Sequence, residues 1–366
     1  MRLAHRRYRL SSKGRCPIMA SSPAILLNLC RISTSHRQSR EDMTRPEESN
    51  QPPGDVWPII KAQPRSFFKT PLCTNLDELD ADVAIIGVPF DQGTFGRPGA
   101  RFGPDAIRDA PRGYNYPDPY GAQTQAEGLY DIDVEDELLR GVTMADCGNI
   151  TVVPSEVVEN FGKLTTVVEK VVERGSFPVV VGGDHAITFP VVRGLRKFTP
   201  LNIVHFDAHL DYTHDVQGVL YTHGSPIRRC RELPFVDHIT SAGIRAARRK
   251  PYEEAKQDGT LIITTNRFRE LGPIGVVELI PQGENLYITF DIDVMDPSQA
   301  PGTGTPETGG LFYHEARECI TALVNRSNLI GFDMVEVAPP YDNSEVTIGL
   351  AARLIVDILA ARFPSK

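Results

Sequence analysis

Apolar positions along the chain fall into two rhythms, short near-continuous runs and longer segments at helical spacing. The first run, Ala81-Asp82-Val83-Ala84-Ile85-Ile86-Gly87-Val88-Pro89, reads as a buried strand. A Gly-rich stretch at 93–101 follows, then a helix from Pro104, in its first turn, to about Ala110. Residues 113–141 mix turn formers with acids and read as a long irregular insertion. From residue 142 the alternation is regular. Strands are expected at 142–145, 177–181, 201–206, 238–244, 261–264, 286–290 and 329–335, and helices at 155–174 (Ser155 as its cap), 185–197, 313–325 and 344–362. Apolar strands alternating with helices predict an α/β fold whose mostly parallel sheet is covered on both faces. Ligands of such sheets sit at the carboxyl ends of the strands.

Three of these strands run into metal-type side chains. Leu201–Phe206 ends in Asp207-Ala208-His209-Leu210-Asp211, and residues two apart in an extended segment share a face, so Asp207, His209 and Asp211 project together. Phe177–Val181 ends in Gly182-Gly183-Asp184-His185, and Leu286–Phe290 in Asp291-Ile292-Asp293. Either of the last two alone also suits a turn with a helix cap or a solvated strand end. Three together imply one shared site. His185, Asp207, His209, Asp211, Asp291 and Asp293 offer four carboxylates and two imidazoles, too many for one tetrahedral zinc. They suit two octahedral ions such as Mn²⁺, about 3.5 Å apart, sharing a water whose pKa falls from ~15.7 towards ~7–8. A fourth strand end carries Asp333 and Glu336, and Glu336 is placed to pair with a planar cation. His223, on the loop after Asp211, is placed to protonate a leaving amine.

Composition narrows the partners. The chain has 366 residues, 41% hydrophobic and 23% charged, enough to bury a large core, and no apolar run long enough to cross a membrane. The net charge of −8 is uneven: nine of the 39 Lys and Arg lie in residues 1–40, which hold no acid, so the remainder carries 30 basic against 47 acidic residues, or −17. A body that acidic excludes a nucleic-acid binder and suits a small cationic substrate. The cysteines, Cys16, Cys30, Cys73, Cys147, Cys230 and Cys319, are scattered, without the spacing of a disulfide framework or zinc ribbon. The Gly-rich stretch lacks G-x-G-x-x-G, so no dinucleotide site is expected; it reads as a pocket rim or a plain connection. Residues 1–42 have the composition of a transit peptide, or else precede the true start at Met43 or Met19; 43–64 are a Pro-rich arm. Residues 65–366 are expected to form one catalytic domain, in a cytoplasmic protein or, with a transit peptide, a mitochondrial or other organellar one.

Gly-Gly-Asp-His, Phe-Asp-Ala-His-x-Asp and Phe-Asp-Ile-Asp-x-x-Asp-Pro, with Pro301-Gly302-Thr303-Gly304-Thr305-Pro306 and Val335-Glu336-Val337-Ala338-Pro339, resemble the ureohydrolase family of arginases and agmatinases over about residues 65–363. The resemblance implies a three-layer α/β/α sandwich and two Mn²⁺ per subunit, held by the six residues above, with Asp207, Asp211 and Asp291 bridging or shared. It further implies His223 as acid/base, Glu336 as guanidinium binder, and a homotrimer or homohexamer hydrolysing a guanidino compound to urea and an amine. Thr213 stands where arginases carry an Asn that holds the substrate's α-carboxylate, and residues 96–104 and 341–347 look like the agmatinase branch. That branch implies agmatine as substrate; the alternatives are guanidinobutyrate, guanidinopropionate or, with Ni²⁺, guanidine. Leu210 replaces a frequent Thr or Ser and removes a hydrogen bond beside the ligands. A non-catalytic homologue would usually have lost ligands, and all six are present here. The substrate's far end is expected against loops 91–120 and 212–222.

Overall fold

Each expected apolar run forms a strand, and the short β2 and β3 are added to them: β1 (Val83–Gly87), β2 (Leu129–Asp131), β3 (Asp136–Leu138), β4 (Met144–Asn149), β5 (Phe177–Val181), β6 (Leu201–Phe206), β7 (Val236–Ile244), β8 (Leu261–Thr264), β9 (Asn285–Asp291) and β10 (Asn328–Val335). The structure, a computed structural model, describes residues 65–110, 128–282 and 284–365. The expectations for residues 1–64, and for the insertion as far as residue 127, lie outside these. From Leu129 to Leu138 that insertion is not irregular: β2 and β3 pair as an antiparallel hairpin.

Eight strands make one sheet in the order β4-β1-β5-β10-β9-β6-β7-β8, and every pairing in it is parallel. Alternate side chains feed two separate cores. Val83, Ile85, Val179, Val181, Val204 and Phe206 join one, whereas Ala84, Ile86, Val180, Leu201 and Ile203 join the other. The first core is closed by helices α1 (Gly103–Asp109), α6 (Thr265–Glu278), α7 (Tyr313–Arg326) and α8 (Val346–Arg362). The second is closed by α2 (Val157–Glu173), α3 (Thr188–Gly194), α4 (Pro226–Arg231) and α5 (Arg249–Gln257). This is the expected three-layer sandwich. Full burial of each large apolar side chain contributes about 1.5–3 kcal/mol, so cores on both faces hold the sheet rigid beneath its strand ends.

Two local expectations change. Ser155 is not the cap of α2: its φ is 67°, the cap position belongs to Glu156, and no side chain caps there. The helix expected at 185–197 begins as a single tight turn, His185–Ile187, capped by the Asp184 carboxylate accepting the Ala186 N–H, before α3. Helices α4, α5 and α6 lie outside the helices expected from the sequence. In α5 only Ala255 is buried, and α6 breaks its backbone at Gly272-Pro273.

Candidate metal centre

β5, β10, β9 and β6 are consecutive in the sheet, so four carboxyl ends lie within three strand spacings, about 14 Å. The turn after β5 needs glycine: a Cβ on Gly183 would meet the Phe90 carbonyl oxygen at 1.9 Å. Gly183 and Glu336 are then tied together, the Glu336 N–H donating to the Gly183 carbonyl at 2.9 Å. Asp211 and Glu336 adopt φ of 49° and 62°. A side chain in that left-handed region costs about 1–2 kcal/mol, a strain typical of functional positions.

Two donor clusters result. In the first, Asp207 Oδ2, Asp211 Oδ2 and Asp291 Oδ2 each lie 3.1 Å from His185 Nδ1. In the second, His209 Nδ1 lies 3.0 Å from Asp293 Oδ2 and 3.4 Å from Asp207 Oδ1. Asp207 therefore turns one oxygen to each. Two donors ~2.1 Å from a common ion and at right angles are ~3.0 Å apart, so these spacings fit octahedral cation sites. His185 Nε2 sits 2.9 Å from Thr289 Oγ1, and donating its proton there leaves the Nδ1 lone pair facing the carboxylates. Thr289 in turn meets Thr188, which donates to Asp333, which also accepts the Tyr287 hydroxyl at 2.6 Å.

The electrostatics match. Burial, then Asp293 and Asp207, push the Asp291 carboxyl well above its usual range. Burial and Asp207 raise Asp293 to about 6. Asp207 is pushed up by burial, but His205, His185 and His209 outweigh that and hold it well below the usual carboxylate range. Burial opposes a proton on His185, yet Asp207, Asp211 and Asp291 raise it well above the ordinary imidazole value. Carboxylates crowded until some retain protons are what a divalent cation would relieve.

Beside the clusters, His223 Nδ1 lies 3.1 Å from Glu336 Oε1, and its Nε2 accepts the Phe95 N–H at 3.1 Å. Burial opposes protonation of His223, but Glu336 overrides it and lifts the pKa to about 9. Glu336 Oε1 also accepts the His185 N–H at 2.9 Å. A cleft of about 380 Å³ opens here, lined among others by His209, Asp211, Asp291, His223, Thr213 and Arg248.

All six metal-type residues are thus brought together, with His223 in the same cleft and Glu336 behind it. Asp207, His209 and Asp211 do not share one cluster, because the chain leaves extended geometry at Asp211. His205 and Thr289 lie outside the residues the sequence singled out, whereas Asp184 belongs to the Gly182-Gly183-Asp184-His185 turn that it did, and acts there as the cap. His205 Nε2 lies 2.7 Å from Asp207 Oδ2. Asp184, raised to about 7 by burial and Glu336, accepts the Gly93 N–H at 2.7 Å. His205 shares parity with Asp207, and Thr289 with Asp291, so the period of two was the available signal. Leu210 is buried in an apolar core and also borders the cleft. Of the two loops expected at the substrate's far end, 212–222 contributes Tyr212 and Thr213; among the described residues, none of 91–110 lines the cleft. Ala246, Ala247, Arg248 and Pro251, at the start of α5, do so instead.

The sequence profile of the arginase family matches residues 81–361. The chain is 34% identical over 358 residues to a mitochondrial guanidino acid hydrolase of Homo sapiens, covering 96% of each. It is 34% identical over 284 residues to an agmatinase of Bacillus subtilis, covering 76% of this chain and 91% of that one. Among solved structures, proclavaminate amidino hydrolase from Streptomyces clavuligerus superposes with a TM-score of 0.72 at 31% identity, over 82% of this chain and 97% of that one.

Proposed function

The chain belongs to the arginase family, and on that premise we propose that it hydrolyses a guanidino compound to urea and an amine at a two-ion centre. His185, Asp207, Asp211 and Asp291 would hold one ion, and Asp207, His209 and Asp293 the other. The observation that carries this reading is the division of Asp207, one carboxylate oxygen facing each cluster. The oxygen-rich, two-imidazole set suits Mn²⁺, with Ni²⁺ the alternative.

When bound, the ion pair supplies a water acidic enough to act as nucleophile near neutral pH. The protein does the rest. Glu336 fixes His223 through Oε1, while Oε2 accepts no hydrogen bond among the described residues and is available to a guanidinium N–H. The oxygen of a water adds to the guanidinium carbon, the bond from that carbon to the alkylated nitrogen breaks, and that nitrogen leaves as the amine with a proton from His223, which a proton lost by the water restores. Burial of Asp207, Asp291, Asp293 and Glu336 keeps the charges strong by excluding bulk water.

Residues 65–366 are the catalytic domain in this reading, and the subunit assembles as a homotrimer or homohexamer. The alignment with the human mitochondrial relative spans nearly the whole chain, which favours a mitochondrial over a cytoplasmic address. Urea release from a panel of guanidino compounds, with the protein loaded in turn with Mn²⁺ and Ni²⁺, tests the function. Activity on at least one compound, lost in Asp207→Ala and Asp291→Ala, is expected; no urea from any of them overturns the reading.

A further inference from the structure

The relatives' names divide over the substrate's far end, which is a second amine in agmatine and a carboxylate in a guanidino acid. The cleft itself bears on that choice. We infer that Arg248 reads a carboxylate there, so that the substrate is a short ω-guanidino acid; this rests on the hydrolase reading above.

Three observations point the same way. Arg248 lines the cleft, is exposed, and forms no ion pair among the described residues; its Nη2 donates to the Thr213 hydroxyl at 3.1 Å. Among the described residues the acids lining the cleft are Asp211 and Asp291, and both belong to the His185 cluster and face the guanidino end. Glu307, 3.8 Å from His209 Nε2, sits by the second cluster. Among the described residues, no carboxylate in the lining is therefore left to hold a terminal ammonium. Arg249 and Lys250 continue the basic run, and the first turn of α5 that they open carries no acid.

Reach fits as well. Thr213 follows Asp211 by two residues, so their Cα atoms are at most about 7 Å apart. A carboxylate three methylenes from a guanidino nitrogen spans a comparable distance. A guanidinium paired with a carboxylate makes two parallel charge-assisted hydrogen bonds, with the Thr213 hydroxyl alongside as a further donor. An ammonium at the same place meets like charge.

The test compares kcat/KM for 4-guanidinobutyrate, 3-guanidinopropionate and agmatine in the full-length, metal-loaded enzyme and in Arg248→Gln and Arg248→Glu. The wild type is expected to prefer a guanidino acid to agmatine. Arg248→Gln raises KM for the acids on the order of 10–100-fold, with a smaller effect on kcat, the loss of a charged hydrogen-bonded pair. Arg248→Glu moves the acid-to-agmatine ratio further toward agmatine. Product binding supplies a second readout: 4-aminobutyrate, but not putrescine, raises Tm in the wild type, and Arg248→Glu removes that shift. A wild type that prefers agmatine, or a substrate ratio unmoved by both variants, overturns the carboxylate inference and leaves the hydrolase standing. Absence of urea from every compound overturns the hydrolase reading and this inference with it.

Discussion

Replacing Asp207 by Asn should remove both ions, whereas replacing His209 by Asn should remove one. Asp207 Oδ2 sits 3.1 Å from His185 Nδ1 and Oδ1 sits 3.4 Å from His209 Nδ1, so one side chain serves both clusters. His209 touches only the second. An ion at 1,000 times its dissociation constant stabilises the folded protein by about 4.1 kcal/mol. For a domain of about 300 residues, with an unfolding entropy near 2.1 cal/mol/K per residue, that is about 6–7 °C in Tm for each ion. Wild type should therefore gain roughly 13 °C on metal loading, His209→Asn about half of that, and Asp207→Asn almost nothing. The assay is thermal unfolding at fixed protein concentration before and after chelation, with metal content measured on the same samples by mass spectrometry. If Asp207→Asn holds one ion per subunit and keeps half the gain, as His209→Asn does, the carboxylate does not join the two clusters and the two-ion arrangement is wrong.

His223→Asn should lower kcat by about 10²–10⁴-fold with the metal content unchanged, because the proposed mechanism uses His223 as proton donor and not as ligand; loss of metal in that variant would sink the assignment. Glu336→Gln should remove the partner that lifts His223 to about 9. A raised pKa means the His223–Glu336 contribution is complete below pH ~6.5 and fades as pH rises through about 9, roughly 3 kcal/mol in the metal-free protein. Stability measured by urea unfolding across that window should fall more steeply in wild type than in Glu336→Gln, and equal slopes would refute the pairing. Thr289→Val keeps the side chain's shape but leaves His185 Nε2 without its partner, so affinity for the ion at the His185 cluster should drop about 10–100-fold in a chelator competition; unchanged affinity would refute the orienting role.

Much of this protein was legible in one dimension. Burial on both sheet faces forces uninterrupted apolar runs, so Phe177–Val181 and Leu201–Phe206 were read to the residue, and parallel sheets place function at strand ends, so all six metal-type residues could be named. Helix α5 could not be found that way, because it is mostly polar and buries only Ala255, yet its start brings Arg248 to the cleft. Strand order was equally invisible. Only packing made β5, β10, β9 and β6 neighbours, and that adjacency lets residues more than a hundred positions apart share donors. The division of Asp207 between two clusters, and the turn at Asp211 that sends its carboxylate to His185 rather than to His209, depend on dihedral angles set by that packing. Residue chemistry and periodicity are properties of the chain; which oxygen faces which imidazole is a property of the folded sheet.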